Sequence, residues 1–230
     1  MEPRSHSPDD SRKTDQPIRI GGTSLRSHRH ICGFFNNHDE QYRVLLPFIK
    51  EGFQRGEKAV HIIDPMRRDE HVRQLLSEGI DVAAAQRDGQ LDLRDWANAH
   101  LRGGSFDQER TLALIEEIRR RAKEQGFLRI RFVTHMEWAV EDRPGVDGLL
   151  EYEASANLVP FEDPVVCSYD LTKFGGDVVV DIMRTHPAII IGGILQENPF
   201  FVPPDAFLQE MRERRAPARS PHPLKERGSS

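Results

Sequence analysis

Between residues 28 and 211 the chain alternates short, nearly continuous apolar runs with longer segments whose apolar residues recur every third or fourth position. The runs are His30–Phe35, Ala59–Asp64, Leu128–Met136, Val165–Leu171 and Ala188–Ile194. Their length and lack of strict alternation predict strands buried on both faces. Helical spacing links Tyr42, Leu45, Leu46, Ile49 and Phe53 between Asp39 and Gly56, and Leu112, Ile115, Ile118 and Ala122 between Asp107 and Gly126. Val72, Leu75 and Leu76 mark a helix closing at Gly79; further helices are expected over Val146–Leu158, Gly176–Arg184 and behind Asp205, after Pro203-Pro204. Gln90–Trp96 reads as a short strand or turn. This alternation predicts an α/β fold of three layers, a mainly parallel sheet with helices on both faces.

Outside that region the pattern disappears. Residues 1–27 and 212–230 are rich in Ser, Arg, Pro and charge, too poor in apolar surface to offset the entropy of ordering, and are expected to be disordered tails. One domain over residues 28–211 is therefore expected. The net charge of −5 argues against general nucleic-acid binding. No apolar run approaches the roughly 20 residues that cross a bilayer, and MEPRSHSPDD has no signal-peptide core. Two distant cysteines, Cys32 and Cys167, fit a reducing compartment, so a cytoplasmic location is expected.

Open parallel sheets bind ligands beyond the C-terminal ends of their strands. Here those ends are polar and aromatic: Phe34-Phe35-Asn36-Asn37-His38, Asp64-Pro65, His135-Met136-Glu137-Trp138, Tyr169-Asp170 and Gln196-Glu197-Asn198. Together they would frame a small-molecule pocket with apolar walls and a few orienting groups. A phosphate-binding loop needs G-x-x-x-x-G-K-[ST]. The turn after the first long strand is instead Gly33-Phe34-Phe35-Asn36-Asn37-His38-Asp39-Glu40, without lysine and with two acids. The Gly-Gly pairs at 103–104, 175–176 and 192–193 read as turns or close-packing points.

Two other chemistries are open to these residue types. His30 and Cys32 share a strand face, as His135 and Glu137 would, and Cys167 is near the end of a third strand, so metal ligation is conceivable. No C-x-x-C-like pair is present, and the simpler reading makes both cysteines buried core residues. No metal or cofactor is therefore assigned. A His135/Glu137 acid–base pair with Ser168 or Cys167 as nucleophile lacks a G-x-S-x-G turn, and a polar strand end that holds a ligand is preferred. Arg119-Arg120-Arg121, late in a helix, reads as a solvated face.

Several motifs carry a family resemblance. His30-Ile31-Cys32-Gly33-Phe34-Phe35, Glu40-Gln41-Tyr42, Leu45-Leu46-Pro47-Phe48-Ile49, Glu51-Gly52 and Gly56-Glu57-Lys58-Ala59 into Ile62-Ile63-Asp64 resemble the opening of MEDS domains. Thr134-His135-Met136-Glu137-Trp138, Tyr152-Glu153, Cys167-Ser168-Tyr169-Asp170, His186-Pro187 and Phe201-Val202-Pro203-Pro204 continue it over about residues 28–210. The resemblance implies a RecA/KaiC-like fold without the ATP-binding loop, found in prokaryotic signalling proteins that sense small hydrocarbon derivatives. Family members carry DNA-binding or histidine-kinase modules, for which 27 residues before the first strand and the tail after Met211 leave no room. The expected role is thus a non-enzymatic sensor that signals to a partner protein, a kinase or transcription regulator, as a monomer or homo-oligomer. Its expected ligand residues are His30, Cys32, Phe34, Phe35, Asp64, His135, Glu137, Trp138, Tyr169 and Asp170. The alternatives are an interaction scaffold for a kinase or anti-sigma-type partner, and a metal- or His/Glu-dependent enzyme.

Overall fold

A computed structural model describes residues 17–25, 29–159 and 162–216. Two short strands, β1 (Arg19–Ile20) and β2 (Thr23–Ser24), precede the main elements. These are β3 (His30–Phe35), α1 (His38–Gln54), β4 (Lys58–Ile63), α2 (Arg68–Ser77), α3 (Val82–Arg87), β5 (Leu91–Asp95) and α4 (Gln108–Glu124). They continue with β6 (Ile130–His135), α5 (Leu149–Ala156), β7 (Val165–Asp170), α6 (Gly176–Arg184), β8 (Ala188–Ile191), β9 (Ile194–Glu197) and α7 (Pro204–Arg215). The large sheet runs β5-β4-β6-β7-β3-β8-β9 and is parallel except for β9.

Because strand side chains alternate, every second residue faces one helical layer. Ile31, Phe35, Ala59, Ile63, Val133 and Val166 pack beneath α1, α2 and α3 with Leu45, Phe48, Leu75 and Val82. Cys32, Phe34, Val60, Ile62, Phe132 and Cys167 face the other way, against Ile115 and Ile118 of α4, Tyr152 of α5 and Ile182 of α6. All six residues of β3, β4, β6 and β7 are buried, as expected of strands covered on both faces.

Three expectations change. Ala188–Ile194 is not one strand: β8 turns at Gly192-Gly193 and returns antiparallel as β9. Both glycines have positive φ, +59° and +78°, as two-residue hairpin turns require. Replacing Gly193 by Ala should cost about 1–2 kcal/mol, the penalty of an L-residue in the left-handed region. Urea unfolding of Gly193→Ala checks this, and an unchanged midpoint would refute it. Second, part of the expected N-terminal tail is folded: Ile18, Ile20 and Leu25 are buried, and β1–β2 lies against α1 and β9. A few apolar residues suffice there because a ready-made surface receives them. The remainder of that expected tail, 1–16 and 26–27, lies outside the described residues. Third, α7 extends to Arg215, past the expected boundary, with Arg214 paired to Asp181 and Arg215 to Glu151. Residues 217–230 lie outside the described residues. Helix α3, capped by Asp81, was not foreseen; six residues carry too little periodicity to register.

Candidate functional site

At the C-terminal edge of β3 the chain enters α1 through Asn36-Asn37. Asn37 caps the helix, its Oδ1 accepting from the Glu40 amide at 2.9 Å. Glu40 folds back, and its Oε2 accepts from both the Asn36 amide and the Asn36 side chain, each at 2.9 Å. In a phosphate-binding loop these positions would offer amides and positive dipole to an anion. Here a carboxylate of the chain itself takes them up.

Behind the first two turns of α1 lies a buried polar network. Gln41 donates to Ser168 Oγ at 2.7 Å and accepts from Arg67 at 3.3 Å. Tyr42 Oη is 3.3 Å from His71 Nδ1, and His71 Nε2 is 2.9 Å from His61 Nδ1. A consistent proton assignment has Tyr42 O–H donating to His71 and His71 Nε2–H donating to His61. The His135 ring stands edge-on to His71, with centroids 6.0 Å apart. Burial lowers the His61 pKa to about 4, and lowers His71 and His135 well below the usual imidazole value, where mutual repulsion and Arg67 add to it.

Glu137 sits at the same edge, 3% exposed. Burial pushes its carboxyl up to about 7, despite the lowering effect of its own backbone amide, Lys173 and Arg67. It lines a cleft of about 560 Å³ together with Asp64, Met66, Trp96, Leu101, Val140 and Lys173. Five buried polar atoms around this edge lack a hydrogen-bond partner: His38 Nε2, His61 Nε2, Arg67 Nη2, His135 Nδ1 and Glu137 Oε2. The nearest charge to His38 Nε2 is Asp170 Oδ2 at 3.5 Å, too poorly aligned to bond. Buried orphans are rare, and their concentration in one place marks a site that a bound molecule could complete.

The structure divides the ten residues expected to share a pocket. Asp64, His135, Glu137 and Asp170 do come together at this edge. His30, Cys32, Phe34 and Tyr169 point to the α4–α5–α6 face, and His30, as the first residue of β3, lies at the other end of its strand. Phe35 is 1% exposed within the α1-side core. Trp138 is fully buried, stacked on His100 and Phe106 with centroids 4.9 and 4.5 Å apart. The expected strand pairing of His135 with Glu137 also fails, because β6 ends at His135 and Glu137 opens a 3-10 turn. Among the described residues no hydrogen bond joins the two. Sequence reading missed Trp96, which directly follows β5, and Met66 and Lys173, which come three residues after β4 and β7, although that signal was available.

A second polar cluster lies on the α4–α5–α6 face, entirely buried. Glu153 of α5 accepts from Tyr169 Oη at 2.5 Å on Oε1. Its Oε2 lies 3.1 Å from His30 Nε2 and 3.4 Å from His186 Nε2. Cys167 Sγ is 3.4 Å from His30 Nε2 and 3.8 Å from Glu153 Oε2. Burial alone would raise the Glu153 carboxyl, but the two imidazoles, when protonated on Nε2, outweigh it and hold it below the ordinary range. Burial and the Glu153 charge push the Cys167 thiol well up.

Comparison with known proteins places this architecture. The KaiC-like protein PH0186 from the hyperthermophilic archaeon Pyrococcus horikoshii OT3 superposes with a TM-score of 0.52 at 14% identity, covering 74% of this chain and 73% of that one. The shared fold is therefore RecA/KaiC-like. The transcriptional repressor DcmR of Methylorubrum extorquens (strain DSM 6343 / CIP 106787 / DM4) is 26% identical over 182 residues, 77% of this chain. The match spans 65% of that repressor's length. No helix among the described residues is long and apolar enough to cross a membrane. The model of the MEDS family, the methanogen/methylotroph, DcmR sensory domain, matches residues 29–187, and the chain belongs to that family of sensory domains.

Proposed function

We propose that this chain is a non-enzymatic sensor whose ligand is a small organic molecule with a hydrogen-bonding head and an apolar body, bound in the cleft beside Glu137. The carrying observation is Glu137 Oε2, a buried carboxyl oxygen without a hydrogen-bond partner on a residue that lines this cleft at the C-terminal edge, where sheets of this class receive ligands. Trp96, Leu101 and Val140 supply apolar wall, and Glu137, Asp64 and Lys173 the polar contacts. The Glu40 carboxylate at the start of α1 disfavours a phosphate group, so the ligand is not a nucleotide. With its carboxyl near neutrality, Glu137 can donate as well as accept, which suits small alcohols and amines. The signal passes to a partner protein, a kinase or a transcription regulator, in keeping with the regulatory role of the DcmR relative. Direct nucleic-acid binding is not part of the proposal, given the net charge.

A thermal-shift panel of small alcohols, amines and halocarbons tests it. A binder at about 100 times its Kd should add about 2.7 kcal/mol, or roughly 5–10 °C for a domain of this size. Trp96→Ala and Glu137→Gln should abolish the shift, while Arg120→Ala, on the solvated face of α4, should keep it. No binder in the panel would favour the scaffold reading instead. Binding that survives both variants would remove the cleft from consideration.

Glu137 also makes stability fall as pH rises. Its folded pKa of about 7 exceeds the ordinary 4.5, so the native state holds a proton that the unfolded chain has released. The resulting stability is full below pH 4.5 and is lost as pH climbs through 7, by on the order of 3 kcal/mol. Glu137→Gln should accordingly be more stable than the wild type at pH 8 and closely matched at pH 5. Urea midpoints at both pH values check this, and a variant less stable at pH 8 would contradict it.

A further inference from the structure

The cluster of His30, Glu153, Cys167 and His186 brings four ligand-type side chains from four separate segments into one fully buried space. One donor atom from each lies within 4.8 Å of all the others. The protonation pattern around it is fixed from outside. Asn157 Nδ2 donates to the carbonyls of Glu153, Ala154 and Thr185, which leaves Asn157 Oδ1 to accept from His30 Nδ1 at 3.1 Å. His186 Nδ1 is 2.9 Å from the Ile182 carbonyl, which can only accept. In their neutral forms both imidazoles therefore carry the proton on Nδ1 and turn an Nε2 lone pair inward.

Tyr169 occupies Glu153 Oε1, so Oε2 also faces the centre. His186 Nε2 stands 3.4 Å from that oxygen without an aligned hydrogen bond. Two nitrogen lone pairs, an anionic oxygen and a thiol thus meet with no donor beyond the thiol proton. A cation resolves this arrangement.

We propose that His30, Glu153, Cys167 and His186 bind one divalent cation of the zinc type in a closed tetrahedral site. Zinc bond lengths give tetrahedral edges of about 3.3 Å between N and O donors and about 3.6 Å between N and S. The observed edges are 3.1 and 3.4 Å for the former and 3.4 Å for the latter. Charge agrees as well. Binding displaces the Cys167 thiol proton to solvent, and the resulting thiolate with the Glu153 carboxylate neutralises a divalent ion, which a buried site demands. The outer contacts from Asn157, Ile182 and Tyr169 are of the kind that orient metal ligands. Cys32 lies on the neighbouring strand, opposite Cys167 in register, and is not a ligand. Spacing along the chain concealed the set, because its members are brought together only by the sheet and by α5. The cation would pin α5 and the turn before β8 to the sheet. None of the four lines the cleft beside Glu137, so the two sites succeed or fail separately.

The full chain purified without chelator is expected to carry about one zinc per chain by elemental analysis. Cobalt supplied in the growth medium in place of zinc should give the visible bands of a tetrahedral site together with a thiolate-to-cobalt charge-transfer band. Cys167→Ser should lose the charge-transfer band, and Cys32→Ser should keep it. Glu153→Gln and His186→Gln should lower cobalt content where circular dichroism shows a native fold. If they do not fold, the wild-type and cysteine-variant spectra decide. A folded wild-type chain free of zinc and cobalt overturns the proposal and leaves a proton as the occupant. A charge-transfer band that survives in Cys167→Ser overturns it equally.

Discussion

Acidification from pH 6.5 to pH 4 is expected to strip this protein of much of its stability, and buried neutral histidines are the reason. His61 and His100 are fully buried, and burial lowers each from the ordinary 6.5 to about 4. The unfolded chain takes up protons below pH 6.5 that the native state refuses, so stability is present above 6.5 and is lost as pH falls towards 4. Each group contributes about 3 kcal/mol to that loss. Glu137 works in the opposite direction, gaining about 3 kcal/mol as it protonates over the overlapping range. Two histidines against one carboxyl leave a net loss, and His71 and His135, both shifted downwards, enlarge it. That net loss is a large share of the roughly 5–15 kcal/mol by which a domain is stable. Urea melts at pH 7.5, 6, 5 and 4 should show a falling midpoint, lowest at pH 4. His61→Gln keeps a polar side chain but cannot charge, so its stability should decline less steeply over that range. Equal pH slopes for variant and wild type would refute the assignment.

The same histidines show where sequence reading reached its limit. The apolar runs placed β3, β4, β6 and β7 within one or two residues, because a strand covered on both faces must be nearly continuously apolar. Helices α1, α2 and α4 were legible from their apolar stripes. The hairpin of β8 and β9 was not, since Gly192-Gly193 sits inside an apolar run and only the positive φ angles identify the turn. At the site, Asp64, His135, Glu137 and Asp170 could be placed at strand ends. His61 and His71 could not be joined to them. One lies in mid-strand and the other within a helix, and only the packing of α2 on β4 brings them within 2.9 Å. His30 was misplaced for a related reason. The motif was read as one unit, whereas alternation sends His30, Cys32 and Phe34 to one layer and Ile31, Gly33 and Phe35 to the other. The polar residues of a strand thus serve two separate networks, and linear order does not say which.

Arg131 supplies the largest stability effect expected from a single substitution. It alternates onto the α1 face of β6 and is 1% exposed, an unusual place for a guanidinium. Its Nε donates to Glu57 Oε2 at 2.5 Å, and Nη1 reaches Glu51 Oε2 at 3.0 Å and the Phe48 carbonyl at 2.5 Å. The guanidinium also lies 4.7 Å from the centroid of the Phe48 ring. Gly52 makes room for it, since a Cβ there would come within 2.7 Å of Arg131 Cδ. The pair with Glu57 is a linkage between α1, β4 and β6 at the end of the sheet remote from the cleft. Removing the arginine leaves Glu57, 4% exposed, beside Arg129 at 3.4 Å. Arg131→Ala should therefore cost about 3–5 kcal/mol, most of it the uncompensated carboxylate, and lower Tm by roughly 6–20 °C. Arg131→Met retains most of the volume and should still lose a large part of that stability. The double variant Arg131→Met with Glu57→Gln removes both charges and should be more stable than Arg131→Met alone, which is the signature of a stranded charge. Equal stability of the single and double variants would show that packing against Phe48 and Gly52, and not charge, carries the effect.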